Sequence, residues 1–580
     1  MAYRCAIVGT LVTVTVLGCA AAPIAPNRKL ARVQQADVDK PIVTASPSAY
    51  AHYMRGRLHL LHMRLKDAET EFRLAIFYDP GSSYLFTVLG EMYGRMGRLV
   101  EALSVAQKAV DLDSKSAEAR LLIARVYQAR HDVPRAEDAY RKAIELDATL
   151  EDAYLRLAEL LLAQGRRSEA ISVFQDLSEN VPTSSEGFMR LAELSIQSRR
   201  LQDGVLYLRK TLELAPSSTR ALRHLAETYV QLGETTKAIQ TYKELLEHVP
   251  EATDVLLSLI DLHLKAGEET LADFYVDKFR DVADRGSRLR LAGTYLRHRR
   301  VDRAISELRT ILEDNPYNYR GRLFLGIALD EKGEHALAQR EFEKIPEKHE
   351  DRADARVHIA ISLSKERKLA EAEAALEKLL ATHPKTVSAY ELLASFREQR
   401  RELREAEQVY KNGLAVMPVE PRLLYGLGVL CEKQGDSDRA IEWMKRLLRI
   451  DPEHAEALNF VGYAYAERGS NLDEAERMVK LALQIRPASG YITDSLGWIY
   501  FKQGKNQLAL ATLLEAFRLA PREAAIAGHL ADVYEELEDR VRAIEMYHKA
   551  LLLKPDAKTR AMLERKLSRI RKEAERTPRR

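Results

Sequence analysis

The sequence predicts an all-α fold, a solenoid of stacked helix–turn–helix units. Three observations predict it. Prolines recur 34 residues apart, at Pro182, Pro216 and Pro250, at Pro384, Pro418 and Pro452, and at Pro521 and Pro555. Pro316 and Pro487 join the series once one short and one long unit are allowed. Glycines recur between them, at Gly97, Gly165, Gly233, Gly267, Gly333, Gly435, Gly469 and Gly504. Small and aromatic residues keep the same phase: Gly56, Ala68, Phe72 and Ala75, then Gly90, Tyr93, Ala102 and Ala109, then Ala124, Tyr127, Ala136, Tyr140 and Ala143. No segment with the two-residue period of a strand stands out.

Each element has a physical reason. Proline follows the second helix of a unit because it cannot continue one. Glycine marks the turn between the two helices, where the left-handed conformation ends the first. Small residues belong where two helices cross closely, and the aromatics fill the space between layers. A 34-residue period of this kind resembles the tetratricopeptide repeat. That resemblance implies a right-handed superhelix with a long concave groove and normally no chemistry of its own.

Unit starts fall near Ala49, Ser83, Ala117, Glu151, Ser185, Thr219, Thr253, Arg285, Tyr319, Ala353, Val387, Pro421, Ala455, Gly490 and Ala524. Residues 49–557 thus hold thirteen to fifteen repeats, since those near 185–218, 253–284 and 387–420 are degenerate. The unit at Thr253 is about two residues short. The unit at Ala455 carries one extra residue within Gly469-Ser470-Asn471-Leu472. Residues 558–580 read as a capping helix and a basic tail, with Met562, Leu563, Leu567 and Ile570 on one side of the helix.

The first 18 residues read as a processing signal. Arg4 supplies the positive end, and Ala6 to Leu17 is an apolar stretch too short for a comfortable membrane span. Val16-Leu17-Gly18-Cys19 follows and resembles the bacterial lipobox. Val at the first position and a residue as large as Leu17 at the second depart from the commonest pattern. The resemblance implies cleavage before Cys19 and lipidation of Cys19, and Ala20 after it favours outer-membrane sorting. The chain would then face the periplasm from the outer membrane. Residues 19–48 read as the lipidated cysteine and a flexible tether with an r.m.s. reach of about 30 Å. Cys5 leaves with the signal, so Cys431 stands alone as a small buried hydrophobe.

The formal net charge of +3 hides an asymmetry, because Lys558 to Arg580 holds ten Lys or Arg and three Glu. The basic end is a solvated cap, with contact to anionic headgroups or an acidic partner as the functional alternative. An exported protein makes nucleic acid an improbable partner.

No spacing suited to a metal, a phosphate loop or a nucleophile elbow occurs. His52, His59 and His62 cluster in the first repeat without a carboxylate or cysteine ligand beside them. Neither catalysis, cofactor, metal nor small-molecule substrate is therefore expected.

The tetratricopeptide resemblance implies that the inner groove is lined by the second, fifth, ninth, twelfth and thirteenth residues of each first helix. Repeats twelve to fourteen place Tyr425, Asn459, Tyr463, Tyr491, Asp494, Trp498 and Phe501 there. Exposed aromatics beside an Asn amide and a carboxylate make a candidate peptide-holding patch. The alternative is that some of these rings pack on the neighbouring repeat. A second aromatic group, Tyr50, Tyr53 and Tyr84, lies at the first two repeats.

Asn459 to Ala464, Gly469 to Ala475 (GSNLDEA) and Tyr491 to Gly504 (YITDSLGWIYFKQG) are similar to a block of long bacterial tetratricopeptide proteins. These include outer-membrane lipoproteins that act as adaptors for carboxyl-terminal processing proteases. The resemblance implies a lipid-anchored, non-catalytic scaffold whose partner is a periplasmic processing protease or an envelope-assembly complex. A lipoprotein of exopolysaccharide export or pilus assembly, or a purely structural envelope protein, is the alternative.

Overall fold

The computed structural model describes residues 46–576. The expected signal, Cys19 and most of the tether lie outside the described residues, as does the end of the basic tail. Among the described residues there are 31 helices and no strand. None of those helices is long and apolar enough to cross a membrane. Two compact units divide the chain at Thr241 and Tyr242.

The first unit opens with α1 (Pro47–Leu61) and α2 (Leu65–Tyr78), then α3 (Ser83–Arg95) and α4 (Leu99–Leu112). It continues with α5 (Ala117–Ala129), α6 (Val133–Leu146), α7 (Glu151–Ala163) and α8 (Arg167–Asn180). Next come α9 (Ser185–Gln197), α10 (Leu201–Leu214) and α11 (Thr219–Leu232), and the division falls inside α12 (Thr235–His248). The second unit follows with α13 (Thr253–Ala266), α14 (Glu269–Val282), α15 (Arg285–Arg297) and α16 (Val301–Asp314). Then come α17 (Tyr319–Glu331), α18 (His335–Glu343), α19 (Arg352–Lys365) and α20 (Leu369–Thr382). After them stand α21 (Val387–Gln399), α22 (Leu403–Val416), α23 (Pro421–Lys433) and α24 (Ser437–Ile450). The last are α25 (Ala455–Arg468), α26 (Leu472–Ile485), α27 (Gly490–Lys502), α28 (Asn506–Leu519), α29 (Ala524–Glu536), α30 (Arg540–Leu552) and α31 (Ala557–Arg576).

Within each unit helices pair in order, as α1 with α2 and α13 with α14, and odd-numbered helices of successive pairs also touch, as α3 does α5 and α25 does α27. Seryl caps start many of the first helices. The Oγ atoms of Ser82, Ser116, Ser218 and Ser489 accept from backbone N–H groups three residues on, which satisfies donors that a helix start leaves unpaired. Helix α1 begins at Pro47 behind the Ser46 cap, two residues before the expected first unit. Proline suits that position because its missing N–H would be unpaired anyway.

The core of each unit is the set of small and aromatic residues with the 34-residue phase. Phe72, Tyr93, Tyr140 and Phe174 are fully buried in the first unit, and Phe279, Phe342 and Tyr547 in the second. Close crossing explains the glycines within helices. A Cβ on Gly326 would stand 2.3 Å from the Phe342 ring.

The inter-helix turn adopts positive φ whether or not glycine is present. Gly97 and Gly233 do so, and so do Met63, His131, Arg199, Arg299, Arg367, Arg401 and Glu538. The irregular repeats have local causes. Between α14 and α15 the link is Ala283-Asp284 alone, where the other units of that stretch use four residues, and Asp284 Oδ1 accepts from the Ser287 N–H at 2.8 Å. Helix α18 stops early, which the repeat phase alone does not predict. Pro346 lies just past its end, and proline excludes both its own N–H bond and helical backbone before it. The Arg352 guanidinium donates to the Phe342 carbonyl at 3.0 Å and so satisfies part of the exposed helix end.

Candidate functional site

In both units the charged side chains of the first helices are largely spent on one another. Arg125 donates to Asp152 at 2.5 Å and Arg220 to Glu193 at 2.5 Å. In the second unit Arg297 meets Asp261 at 2.6 Å, Lys365 meets Asp330 at 2.5 Å and Lys433 meets Glu398 at 2.6 Å. Each joins successive repeats. The exposed pairs among them, all but the one to buried Asp330, contribute at most about 1 kcal/mol each, but they leave few of these charges free for a ligand.

The repeats from α23 to α29 differ. Successive repeats put Asn459 and Asp494 at one shared position and Tyr463 and Trp498 at another. The Trp498 ring stacks on the His529 imidazole of α29, with centroids 4.1 Å apart. Phe501 stacks on Trp498 at 5.1 Å, and Tyr463 lies 6.3 Å from His529. Trp498 Nε1 donates to Glu467 Oε1 at 2.5 Å. His529 Nδ1 lies 3.0 and 3.1 Å from the two oxygens of Asp494. The Lys502 ammonium sits 4.8 Å from the Trp498 ring centre, a cation–π contact.

The electrostatics follow from burial. Burial alone pushes the His529 imidazole down, but the attraction and hydrogen bond of the Asp494 carboxylate, with Asp532 and Glu467 beyond it, outweigh that and raise its pKa. Burial pushes the Tyr463 phenol up, and the neighbouring carboxylates push it the same way. The Tyr425 phenol is also raised, chiefly by burial.

Accessible side chains were the expectation for this patch, and the structure corrects it at two positions. Trp498 and Asp494 are each only 7% exposed. The ring is consumed by His529 and Phe501 and the carboxylate by His529, because successive first helices pack directly on one another. Tyr463 and Phe501 are half-buried in the same cluster. Tyr425 stands apart from it and stacks on His454 at 5.6 Å. Tyr491 is 59% exposed and its hydroxyl donates to Glu523 at 2.5 Å. Asn459 is half-buried, and its Oδ1 is a buried acceptor with no hydrogen-bond partner among the described residues. The structure therefore unites Tyr463, Asp494, Trp498 and Phe501, and leaves Tyr425, Asn459 and Tyr491 outside that stack.

His529 and Glu467 are the members that sequence reasoning missed. A signal existed for the first. His529 lies 35 residues after Asp494, one repeat plus one residue, and a His one repeat from an Asp is a candidate partner across neighbouring first helices.

At the N-terminal end Tyr53 and Tyr84 share a hydroxyl hydrogen bond of 2.8 Å. His52 Nδ1 lies 2.7 Å from Glu71, and its ring stacks on Tyr78. Cys431 is buried, and burial raises its thiol pKa.

Profiles of the tetratricopeptide repeat match residues 87–151, 359–414, 397–455 and 495–558 in one form, and 128–194, 195–259 and 295–363 in another. Together they span more than half of the chain. The TPR repeat-containing protein PA4667 of Pseudomonas aeruginosa is 32% identical over 120 residues, which is 21% of this chain and 20% of that protein. The protein O-mannosyl-transferase Tmtc3 of Drosophila melanogaster is 29% identical over 115 residues, 20% of this chain and 12% of that one. The matched region thus spans a fifth or less of these curated relatives. Among solved structures, a chain in the crystal structure of the APC/C hetero-tetramer Cut9–Hcn1 is 17% identical, covering 83% of this chain and 95% of that one, with a TM-score of 0.35.

Proposed function

The chain belongs to the tetratricopeptide-repeat family, a family of protein-interaction scaffolds, and from that premise we propose that it is a non-catalytic, lipid-anchored scaffold of the bacterial envelope. Its partner in this proposal is a protein segment held on the first helices of the C-terminal repeats. Lipidation at Cys19, which rests on the Val16 to Cys19 motif, holds it on the outer membrane facing the periplasm. The partner class is a periplasmic processing protease or an envelope-assembly complex, carried over from the Asn459–Ala464 and Tyr491–Gly504 resemblance.

One observation carries the site. Asn459 Oδ1 is buried with no hydrogen-bond partner among the described residues, and an unmet buried acceptor costs about 1–3 kcal/mol. A backbone N–H of an extended peptide would satisfy it, as main-chain pairing does in peptide recognition. Exposed Tyr491 supplies apolar contact at small ordering cost.

The test is affinity capture from envelope fractions with the lipid-anchored protein, wild type against Asn459→Ala and Tyr491→Ala. The proposal expects one defined envelope protein to co-purify with wild type and to be depleted with both variants. Equal capture by all three would move the site elsewhere. Absence of any envelope partner would overturn the scaffold role.

A further inference from the structure

The N-terminal end of the first unit carries an unfinished apolar face. Tyr50, Met54, Leu58 and Leu61 follow one another at helical spacing along α1 and are all exposed. Met63, just past the helix, and Phe77 of α2 are 77% and 75% exposed. Repeat geometry explains what the stripe lacks. One repeat later, Met54 and Leu58 become Val88 and Met92, and Met92 is only 1% exposed where Leu58 is 54% exposed. Val88 and Met92 line a cleft with Leu60 and Leu61 of the preceding repeat, and Leu122 and Val126 likewise face Glu91 and Arg95. At Met54 and Leu58 the stripe is therefore the surface that the next repeats bury at Val88 and Met92 and at Leu122 and Val126, whereas Tyr50 and Leu61 extend it at positions that stay exposed one repeat later, at Tyr84 and Arg95. Solenoid ends need a polar outer face. Helix α31 has one, for Glu564, Arg565, Ser568 and Lys572 line its open side.

Charge decides what fits the stripe. Helix α1 contains Arg55 and Arg57 and no acidic residue, and Arg64 and Lys66 follow it. The acidic residues of α2 lie within ion-pair distance of bases: Asp67 of His59, Glu69 of Arg73 and Arg98, Glu71 of His52 and Arg55. A second copy pairing α1 against α1 would oppose like charges. The chain's own preceding segment fits poorly too. The stretch of sequence one repeat before α2, residues 31–44, contains Pro41, which a helix interior does not accept, and its Arg32 and Lys40 balance Asp37 and Asp39, so it offers the arginines of α1 no acidic excess. An anionic bilayer answers both the apolar stripe and the arginines, as it does for interfacial helices.

We infer that the exposed stripe Tyr50, Met54, Leu58 and Leu61 of α1, bordered by Arg57, docks the first repeat on an anionic lipid surface. The inference goes beyond the anchor proposed above. A lipid chain at Cys19 would hold the protein near the membrane through a loose tether, whereas the stripe would fix which face of the first repeat meets it. Tyr50 and Arg57 suit the headgroup level, and Met54, Leu58 and Leu61 suit the acyl boundary.

The test places a tryptophan in the stripe of the full chain, Leu61→Trp, with Leu552→Trp as the control, since Leu552 is 81% exposed on α30. Each protein is bound to vesicles of brominated phosphatidylcholine, with and without brominated phosphatidylglycerol. Flotation reports whether the chain is held on vesicles at all and so tests the anchor. Bromine quenching within the floated fraction tests the docking. The expected result is quenching at position 61 with phosphatidylglycerol, its loss in high salt, and its loss in Leu61→Trp chains that also carry Met54→Glu and Leu58→Glu with unchanged helicity. No quenching should occur at position 552. Absence of quenching at 61 in a floated chain overturns the inference. So does equal quenching without phosphatidylglycerol, which removes the anionic requirement. Blue-shifted emission at 61 before vesicles are added also overturns it, naming a second copy if it depends on concentration and the chain's own segment if it does not.

Discussion

The Trp498 ring lies nearly parallel to the His529 imidazole, 4.1 Å away, and the two residues belong to successive repeats. Since His529 also holds Asp494, and Trp498 holds Glu467, the cluster links α25, α27 and α29. Cohesion between these three repeats therefore rests on this cluster.

Trp498→Ala should destabilise the C-terminal repeats by about 3–5 kcal/mol, the range for truncating a buried aromatic. Trp498→Phe keeps the stack and loses mainly the bond to Glu467, at a cost of about 1 kcal/mol. Hydrogen exchange on α25, α27 and α29 measures both. Tyr491→Ala, at an exposed ring, should leave that protection unchanged while weakening partner capture by about 2 kcal/mol or more if Tyr491 is an anchor.

The pH dependence of the same repeats follows from His529. Its folded pKa is raised above the ordinary value by Asp494, against the opposing effect of burial. The protonated imidazole thus contributes stability that is full below about pH 6.5 and is lost as pH rises through the folded value. Denaturation midpoints should fall over that window in wild type. His529→Gln should flatten the dependence, and a wild-type profile as flat as the variant's would show the pair to be uncoupled from folding.

Gly326→Ala tests the close crossing of α17 and α18. The added Cβ meets the Phe342 ring at 2.3 Å, and the ring is fully buried. Overpacking of this kind costs about 1–3 kcal/mol. Phe342→Leu alone should also destabilise, but the double variant should be more stable than the sum of the two effects predicts, as a thermodynamic cycle would measure.

Arg199→Gly should stabilise the first unit. Arg199 turns the chain from α9 to α10 at φ +60°, a backbone that costs a residue with a Cβ about 1–2 kcal/mol. Part of the gain is returned as the entropy of a freer unfolded chain, so a net of about 0.5–1 kcal/mol is expected in thermal unfolding.

Cys19→Ser should abolish acylation and leave an uncleaved or soluble protein. Mass spectrometry of the N-terminus measures this directly. Native protein recovered from the cytosol with its N-terminus intact would end the envelope proposal.

The all-α repeat was legible in the sequence because it is written locally. Helix starts at Ser83, Ala117 and Gly490 follow from serine caps and apolar phase, and turns at Gly97 and Gly233 from a backbone that glycine accepts without strain. Each such signal lies within about a dozen residues, and the period repeats it. The early end of α18 was local as well, written in Pro346, but a repeat phase averages such a residue away.

What the sequence by itself determined, then, is the element order and the residues that face the first-helix surface. Only the tertiary structure decided which of those residues remain accessible. Trp498 and Asp494 occupy the same kind of position as neighbours expected to line a groove, yet the packing of α29 on α27 closes them under His529. Leu58 and Met92 are likewise one repeat apart, and among the described residues only Met92 has a repeat before it; one is exposed and the other buried. Exposure depends on what packs alongside, and a 34-residue period is blind to its own ends and to pairs formed between its copies.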